Sequence, residues 1–335
     1  MPTSELRRSH IWNDWVIVSS DREQRPMDLV GDRADLPLRS DCPFCPGNEF
    51  MTPSEVFAIR GKTPPNGPGW SVRVFPNRYP AVRSDGDSRI RCGDSHCRME
   101  GLGMHEVVVD TPDHDASMAE MAEDHIASVL ITYKERYDHI ASDGRFKSIL
   151  VFKNQGLEAG ASQHHSHSQI IALPFVPEQI SHELHDCSEH SMGKGEGCAY
   201  DDLVRDERDS RVRMVIDEGK FSVHCPFASR FPFEVLVVPK KHAPSFVAAD
   251  DSELESLAKV LRDTLRRYAK ILDRPAYNMY IHSAPCDGYE HRYYHWHVHI
   301  APKSIKFGSF EIGSGVYINS LPPERSAEAL RSAGP

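Results

Sequence analysis

Short apolar, β-branched runs alternate along this chain with longer stretches in which apolar residues recur at helical spacing. The runs 105–111 and 233–238 predict buried strands, and each is followed by a proline and then a histidine, His114 or His242. The next stretches open on Ser-x-x-Glu at Ser117 and Ser252, which is typical of a capping box, and predict two amphipathic helices. Further strands are predicted over 146–152 and 277–281.

The same order of elements occurs twice. In each half a strand, a helix, a second strand and a loop lead to a strand with alternating histidines, and 75–80 is echoed by 227–232. We therefore predict an α+β fold of two similar halves, each an antiparallel sheet with helices packed on it. The halves are predicted to be residues 1–183 and 184–335, with a loop over 186–197 where glycine and polar residues concentrate.

Composition and charge exclude several classes of function. The 335 residues carry a formal net charge of −10, which argues against nucleic acid as the main partner because polyanions bind basic surfaces. No apolar run approaches the roughly 20 residues of a membrane span, and the N-terminus has no apolar leader segment. We therefore expect a cytoplasmic protein that binds small molecules, with no nucleic-acid and no membrane partner.

The segment 154–169 carries the most specific chemistry of the chain. Because side chains alternate along a strand, His165, His167 and Gln169 are predicted to share one face, with the two intervening serines on the other. Two glycines in the preceding loop let the backbone approach a ligand closely, and successive N–H groups in such a loop bind anions. This combination predicts phosphate chemistry by histidine. The competing interpretations are a solvated loop and a purely structural metal site.

The cysteines favour metal binding over disulfides, since eight are few for a disulfide framework in a chain of this length. Cys42 and Cys45 have the two-residue gap of a metal knuckle, and the turn residues that follow disfavour the helix that a redox CxxC needs. With His114 and His165 they provide two thiolates and two imidazoles, the donor set of a structural zinc site. Such a metal would brace the backbone two residues before His167.

A second donor set lies in the other half of the chain. Its one carboxylate and three imidazoles suit zinc or ferrous iron, and they are Glu183, His282, His297 and His299. In a competing interpretation, His297 and His299 are ordinary strand residues whose side chains bond to the backbone. A different metal group is a weaker alternative, namely Cys198 with His242 and His295. The nearby histidines at 182, 185 and 190 are expected to be solvated.

Over nearly its whole length the chain resembles galactose-1-phosphate uridylyltransferases and their adenylyl-transferring relatives in the histidine-triad superfamily. The matching segments are 15–26, 42–45, 75–77, 112–114, 154–169, 232–239 and 282–285. The resemblance implies two histidine-triad-like halves and a ping-pong transfer of a nucleoside monophosphate. The donor would be a nucleotide sugar of the NDP-hexose type, the acceptor a phosphate or sugar phosphate, and the assembly a homodimer.

The resemblance also implies roles for individual residues. His167 would be the nucleophile that carries the nucleotidyl group, with Gln169 and Ser162 as further catalytic residues. Both donor sets named above fall on metal sites of the family, the first a zinc site and the second a Zn²⁺ or Fe²⁺ site that some members lack. Nucleotide or phosphate contacts are expected from Arg22, Arg25, Asn77, Asn154, Gly160, Ser162 and Gln169, and substrate contacts from Lys306, Phe310 and Tyr317.

Two departures from the uridylyltransferase pattern favour the adenylyl-transferring branch. Many uridylyltransferases have His-Pro-His-Gly-Gln where this chain has a serine on each side of His167, and Tyr317 stands near the place of a sugar-binding glutamine. ADP-glucose or adenylylsulfate with inorganic phosphate is therefore an alternative substrate pair. Two rival functions stay open, a histidine-triad hydrolase that uses His297 and a non-catalytic nucleotide-binding module held together by metal.

Overall fold

The computed structural model describes residues 4–9, 11–12, 14–19, 41–194 and 197–335. The strands are β1 (Ser4–Arg8), β2 (Trp15–Ser19), β3 (Phe57–Arg60), β4 (Trp70–Pro76), β5 (Arg91–Cys92), β6 (Cys97–Arg98), β7 (Met104–Val109), β8 (Ser148–Gln155), β9 (His167–Leu173), β10 (Met214–Glu218), β11 (Phe221–His224), β12 (Val235–Pro239), β13 (Tyr277–His282), β14 (His297–Pro302) and β15 (Tyr317–Asn319). The α-helices are α1 (Glu123–Ala141), α2 (Glu178–Lys194), α3 (Ala199–Ser210), α4 (Asp251–Leu272), α5 (Ser309–Ser314) and α6 (Pro323–Ala333).

Ten strands form one antiparallel sheet in the order β10-β11-β12-β14-β13-β8-β9-β7-β4-β3. The strands β4, β7, β9 and β8 of the first half occupy places equivalent to β11, β12, β14 and β13 of the second. The halves join where β8 pairs with β13. The predicted α+β fold with two similar halves is confirmed, and the structure adds that both halves contribute to a single continuous sheet.

The helices α1 and α4 cover one face of this sheet and pack on each other. Both have an apolar stripe at the predicted spacing, with Leu130 and Tyr133 in α1 and Leu257 and Leu261 in α4 fully buried in the main core. A helix in a globular protein is stabilised mainly by packing of such a face. Because these helices occupy one face, the opposite face is left for side chains that meet a ligand.

Both predicted helix starts were wrong by a few residues. The Ser117–Glu120 pair does form a hydrogen bond, at 2.9 Å, but it lies in a turn before α1, which begins at Glu123. At α4 the capping box is made by Asp250 and Glu253 rather than by Ser252, because the Asp250 carboxylate accepts the Glu253 N–H at 2.8 Å.

The region predicted as a loop over 186–197 is largely helical, since α2 extends to residue 194. On this helix His182 is exposed as expected, whereas His190 is mostly covered and lies 2.9 Å from Asp202. The division of the chain between residues 183 and 184 falls inside α2 and stays a prediction.

Two small sheets complete the fold. In one, β2 pairs with β1 antiparallel and with β15 parallel, so that an early and a late segment of the chain share one sheet. In the other, the exposed hairpin β5–β6 carries a disulfide between Cys92 and Cys97, which the sequence reasoning did not anticipate. No helix in the described part of the chain is long and apolar enough to cross a bilayer.

Candidate active site and metal centres

His167 is the first residue of β9 and lies on the face of the sheet opposite the main helices. Its surroundings are apolar, because Phe44, Phe75 and Val109 form a small separate core on this face. The Phe44 ring meets the His167 ring edge-on, with centroids 5.2 Å apart. The residue is 5% exposed, so its packing fixes the ring.

The orientation of this ring is set by a hydrogen bond to the backbone. His167 Nδ1 lies 2.9 Å from the carbonyl oxygen of His165, and since a carbonyl only accepts, Nδ1 carries the ring proton. Burial lowers the pKa of His167, and the nearby Lys153 ammonium lowers it further. The ring is therefore neutral near pH 7, and its unprotonated Nε2 has no partner among the described residues.

A buried polar network lies behind His167, on the face that α1 covers. Lys153 donates to Asp110 Oδ2 at 2.7 Å, to Ser166 Oγ at 2.8 Å and to the carbonyl of His167 at 3.1 Å. The Ser168 hydroxyl donates to Asp110 at 3.0 Å. Both serines thus point away from the His167 face, as predicted, and both bind the same carboxylate.

Sequence reasoning missed Lys153 and Asp110, although a signal was present. Each is a charged residue inside or at the end of an otherwise apolar strand, where a charge is costly unless it is paired. The pairing itself joins positions 43 residues apart and could not be deduced from the pattern.

Gln169 lies on the same face as His167 and belongs to a polar trio. His105 Nε2 lies 2.8 Å from Gln169 Oε1 and 3.1 Å from Asn77 Nδ2. The trio places two of the predicted nucleotide contacts, Asn77 and Gln169, beside each other. The third member, His105, was not identified from the sequence.

Asn154 and the glycine loop border His167 from the next strand. Phe152 is paired with Gln169, and continuing this register by two residues puts Asn154 opposite His167. The Asn154 amide oxygen accepts a hydrogen bond from Asn278 at 2.8 Å, which fixes the side chain. In the loop that follows, Gly156 and Gly160 both have positive φ, and the predicted contact Ser162 is exposed just beyond it.

The first predicted metal group is assembled as expected. The donor atoms of Cys42, Cys45, His114 and His165 lie within 4.8 Å of one another. Cys45 Sγ is 3.3 Å from His114 Nδ1, and Cys42 Sγ is 3.5 Å from His165 Nδ1. The far nitrogen of His165 lies 2.7 Å from the carbonyl of Thr111, which leaves Nδ1 unprotonated and free to bind a metal.

The second predicted group is also brought together. His282, His297 and His299 form a buried cluster, and the Glu183 carboxylate lies 3.0 Å from His282 and 3.4 Å from His297. Burial alone would raise the pKa of Glu183, but the charges of His282 and His297 outweigh it and lower that pKa to about 2. The carboxylate is therefore ionised inside the fold.

Strand register shows that this cluster is the counterpart of the His167 site. His299 pairs with Tyr280 as Gln169 pairs with Phe152, so His297 takes the place of His167 and His282 that of Asn154. The ring bond recurs, with His297 Nδ1 3.0 Å from the carbonyl of His295. Here, however, Nε2 faces His299 at 3.1 Å and the Tyr200 hydroxyl at 3.2 Å.

Aromatic rings stack on the histidines at this second position. Tyr200 stacks on His297 at 4.5 Å between centroids, and Tyr280 stacks on His299 at 4.6 Å. The His297 ring is fully buried. The geometry therefore favours His167 over His297 as a nucleophile.

A third group lies at the counterpart of the first metal site. The donor atoms of Cys198, Asp201, His242 and His295 lie within 4.8 Å of one another, with Asp201 three residues after Cys198 as Cys45 follows Cys42. Burial would raise the pKa of Cys198, but hydrogen bonds to His242 and His295 outweigh it and lower that pKa. The sequence reasoning had rated this group the weaker alternative and had not included Asp201.

Within the described residues, the predicted substrate-binding residues near the C-terminus are not in contact with the His167 site. Tyr317 belongs to the three-stranded sheet and packs on Phe231 and Phe307 at 5.7 and 5.2 Å. Phe310 lies on the exposed helix α5, and Lys306 precedes it. None of their contacts within the described residues reaches His167. Arg22 and Arg25 lie outside the residues that the structure describes.

Comparison with known proteins covers almost the whole chain. Residues 2–177 match the family described as galactose-1-phosphate uridyl transferase, N-terminal domain, and residues 183–328 match its C-terminal domain. An ADP-glucose phosphorylase of Arabidopsis thaliana is 37% identical over 98% of this chain and 92% of its own length. A galactose-1-phosphate uridylyltransferase of Thermotoga maritima is 29% identical over 98% of both chains. The crystal structure of an Arabidopsis ADP-glucose phosphorylase with bound ADP-glucose superposes with a TM-score of 0.85, at 35% identity over 98% of both chains.

Proposed function

Because the chain belongs to the galactose-1-phosphate uridyl transferase family and is a nucleotidyltransferase, we propose that it moves an adenylyl group from ADP-glucose to inorganic phosphate through a covalent bond to His167. The observation that carries this proposal is the His167 ring, whose Nδ1 bonds a backbone carbonyl and whose free Nε2 is unprotonated. The serines on both sides of His167 and the Arabidopsis relative support an adenylyl donor. A UDP-hexose with a hexose 1-phosphate is the second candidate, supported by the Thermotoga relative.

The reaction would proceed in two in-line displacements. In the first, His167 Nε2 attacks the α-phosphorus, the N–P bond forms, and the bond to the bridging oxygen breaks, so that glucose 1-phosphate leaves with the electron pair. In the second, an oxygen of inorganic phosphate attacks the same phosphorus, the N–P bond breaks, and ADP is released. His167 returns to its neutral form, and the kinetics are ping-pong.

The neighbouring residues would stabilise the charge that develops on the transferred group. The Gln169 amide can donate to a non-bridging oxygen, a contribution on the order of 3 kcal/mol by comparison with oxyanion donors. Asn154, opposite His167, and Asn77 would contact the nucleotide or its phosphates, and the backbone of the Gly156–Gly160 turn would provide a further anion contact. Ser162, exposed beyond that turn, would bind the outgoing or incoming phosphate, and Arg22 and Arg25 remain predicted contacts.

We assign the first metal group to zinc. A tetrahedral zinc with bonds of about 2.3 Å to sulfur and about 2.0 Å to nitrogen separates these donors by about 3.5 Å. The observed sulfur-to-nitrogen distances are 3.3, 3.5 and 3.7 Å, so the donor set fits the metal. Zinc bound to the His165 ring would fix the backbone of His165, whose carbonyl orients the His167 ring.

A second metal, zinc or iron, would be held by Glu183, His282, His297 and His299. The 3.1 Å between the Nε2 atoms of His297 and His299 suits two ligands of one metal, and the bond from His297 Nδ1 to the carbonyl of His295 leaves Nε2 of His297 unprotonated for that role. The group around Cys198 is the competing location, and its carboxylate in place of a second thiolate would weaken its preference for zinc.

We propose a homodimer, in which a second copy of the chain would present the predicted substrate contacts to the His167 site. Support comes from Lys306, Phe310 and Tyr317, since none of their contacts within the described residues reaches His167. Light scattering tests this directly, and a mass of one protomer would remove the homodimer. The cytoplasmic localisation stays a prediction.

Covalent trapping tests the central step. The protein would be mixed with ADP-glucose labelled at the α-phosphorus, denatured at alkaline pH and digested, and the labelled peptide identified. Label on the peptide that contains His167 is expected. Label on the peptide that contains His297 would support the hydrolase, and absence of label together with tight ADP-glucose binding would support a non-catalytic module.

A panel of substrates would identify the donor and the acceptor. UDP-hexoses, ADP-glucose and adenylylsulfate would each be tested with phosphate and with hexose 1-phosphates. The proposal expects ADP-glucose with phosphate to give the highest kcat/KM. A higher value for a UDP-hexose with a hexose 1-phosphate would assign the second candidate instead.

A further inference from the structure

His105 is the second residue of β7 and shares the face of the sheet that carries His167 and Gln169. Its Nδ1 accepts a hydrogen bond from the backbone N–H of Ala81 at 3.1 Å. Because a backbone amide can only donate, Nδ1 is unprotonated, and the neutral ring carries its proton on Nε2. The tautomer of His105 is thus set by the chain, and a donor points toward Gln169.

The orientation of the Gln169 amide follows from the same argument. Asn77 Oδ1 accepts the N–H of Tyr79 at 2.9 Å, so the Asn77 NH₂ group faces the His105 ring. The His105 ring N–H therefore donates to Gln169 Oε1 at 2.8 Å, whereas the Asn77 NH₂, itself a donor, makes no hydrogen bond to the protonated Nε2 3.1 Å away. The Gln169 oxygen must therefore point to His105, and no hydrogen bond within the described residues takes up its NH₂ group.

We propose that His105 is a positioning residue for nucleotidyl transfer, which fixes the Gln169 amide so that its NH₂ group faces the α-phosphate. The inference rests on the function proposed above and adds a residue to it. An amide free to rotate would also present its oxygen, which repels a phosphate oxygen. A donor that is oriented before the reaction stabilises the developing charge without reorganisation.

The two hydrogen bonds of His105 can be separated by substitution. The side-chain nitrogen of glutamine reaches about as far as Nε2 of histidine, whereas the side-chain oxygen of asparagine reaches about as far as Nδ1. His105→Gln therefore keeps a donor for Gln169 and loses the acceptor for Ala81. His105→Asn keeps the acceptor for Ala81 and loses the donor for Gln169, so the pair forms a matched control.

The experiment measures the full-length protein with ADP-glucose and phosphate. His105→Asn is expected to lower kcat by about 10- to 100-fold, as loss of a residue that orients a functional group commonly does, with the KM for phosphate nearly unchanged. His105→Gln is expected to recover most of that loss. In a Gln169→Ala background, His105→Asn is expected to lower kcat no further, because the amide that it orients is gone.

The results separate this inference from the proposed function. Equal losses in the two His105 variants, or a His105→Asn loss that multiplies with that of Gln169→Ala, would show a structural role and overturn the positioning role alone. Full transfer activity in His167→Ala would overturn the proposed function and the role of His105 with it. Thermal unfolding of each variant is the control that separates a change in kinetics from loss of the fold.

Discussion

The ammonium of Lys153 lies 2.7 Å from the carboxylate of Asp110, and neither side chain has any exposed area. This ion pair sits directly behind His167, and it binds the hydroxyl groups of Ser166 and Ser168. The two serines that distinguish this chain from the His-Pro-His-Gly-Gln pattern are therefore partners of a buried charge pair. The backbone that carries His167, the proposed nucleophile, is held from behind by side chains rather than by proline geometry.

Replacing Lys153 by methionine should destabilise the protein strongly. The Asp110 carboxylate would stay buried without its cation, and breaking one partner of a buried pair typically costs about 3–5 kcal/mol. Urea unfolding of the wild type and of Lys153→Met measures the loss. The exposed Lys241 provides the control, since its side chain is 72% accessible, and Lys241→Met should change the unfolding free energy by less than about 0.5 kcal/mol. Equal effects of the two substitutions would contradict the importance of the buried pair.

The first metal group should hold one zinc ion per chain that is needed for both fold and activity. Cys45→Ser is expected to lose one equivalent of zinc and about 4 kcal/mol or more of stability, because loss of a structural metal is among the largest single effects known. Elemental analysis and chemical unfolding provide the two measurements. Cys286 is a free cysteine that belongs to none of the metal groups found among the described residues, so Cys286→Ser should retain the full zinc content.

The location of a second metal is decided by a pair of conservative substitutions. Glu183→Gln should lower the metal content by up to one equivalent if the metal sits among the three histidines of the second half, as proposed. Asp201→Asn should leave the content unchanged in that case. The opposite result would place the metal with Cys198, and the ultraviolet absorption of a cobalt-loaded protein would then decrease in Cys198→Ser because a thiolate ligand is lost.

His224 should make the protein less stable in acid. Its ring is fully buried, neither nitrogen has a hydrogen-bond partner among the described residues, and burial lowers its pKa to about 3. Between the unfolded pKa of 6.5 and this value the unfolded chain binds one more proton, so stability falls as the pH falls. The loss from this residue between pH 7 and pH 5 is about 2 kcal/mol.

Substitution of His224 separates its contribution to the acid sensitivity of the protein from that of the other buried histidines. His224→Leu leaves no polar atom unpaired, so it should remove this part of the acid sensitivity. Urea unfolding of both proteins at pH 7 and pH 5 is the measurement. An identical drop in the two proteins would show that His224 is protonated in the folded state.

Gly156 should not tolerate a side chain. It has a φ of +84°, and an added Cβ would lie 2.8 Å from the Cβ of Ala276, so Gly156→Ala combines backbone strain with a clash. We expect a cost of about 1–3 kcal/mol and a lower kcat, because the turn before His167 would move. Gly144 has open space around it and no positive φ, and Gly144→Ala should leave both stability and kcat near the wild-type values.

Patterns local in the chain made the fold class and the chemistry predictable. Alternation along a strand placed His167 and Gln169 on one face and the serines on the other, because side-chain direction in a strand depends only on position parity. The repeated order of elements gave two similar halves, and the spacing of Cys42 and Cys45 gave the metal group. Helix starts were less accurate, since several polar residues near α1 and α4 compete as caps.

Other features were decided only by tertiary structure. The joining of the halves through β8 and β13, the Lys153–Asp110 pair and the contact of His105 with Gln169 all unite residues that are far apart in the chain. The stacking of Tyr200 and Tyr280 on the histidines of the second site was likewise decided by tertiary structure. Sequence pattern fixes which way a side chain points, but pairing between distant strands determines what it meets there. That pairing distinguishes His167, whose Nε2 has no partner among the described residues, from His297, whose Nε2 faces His299 and Tyr200.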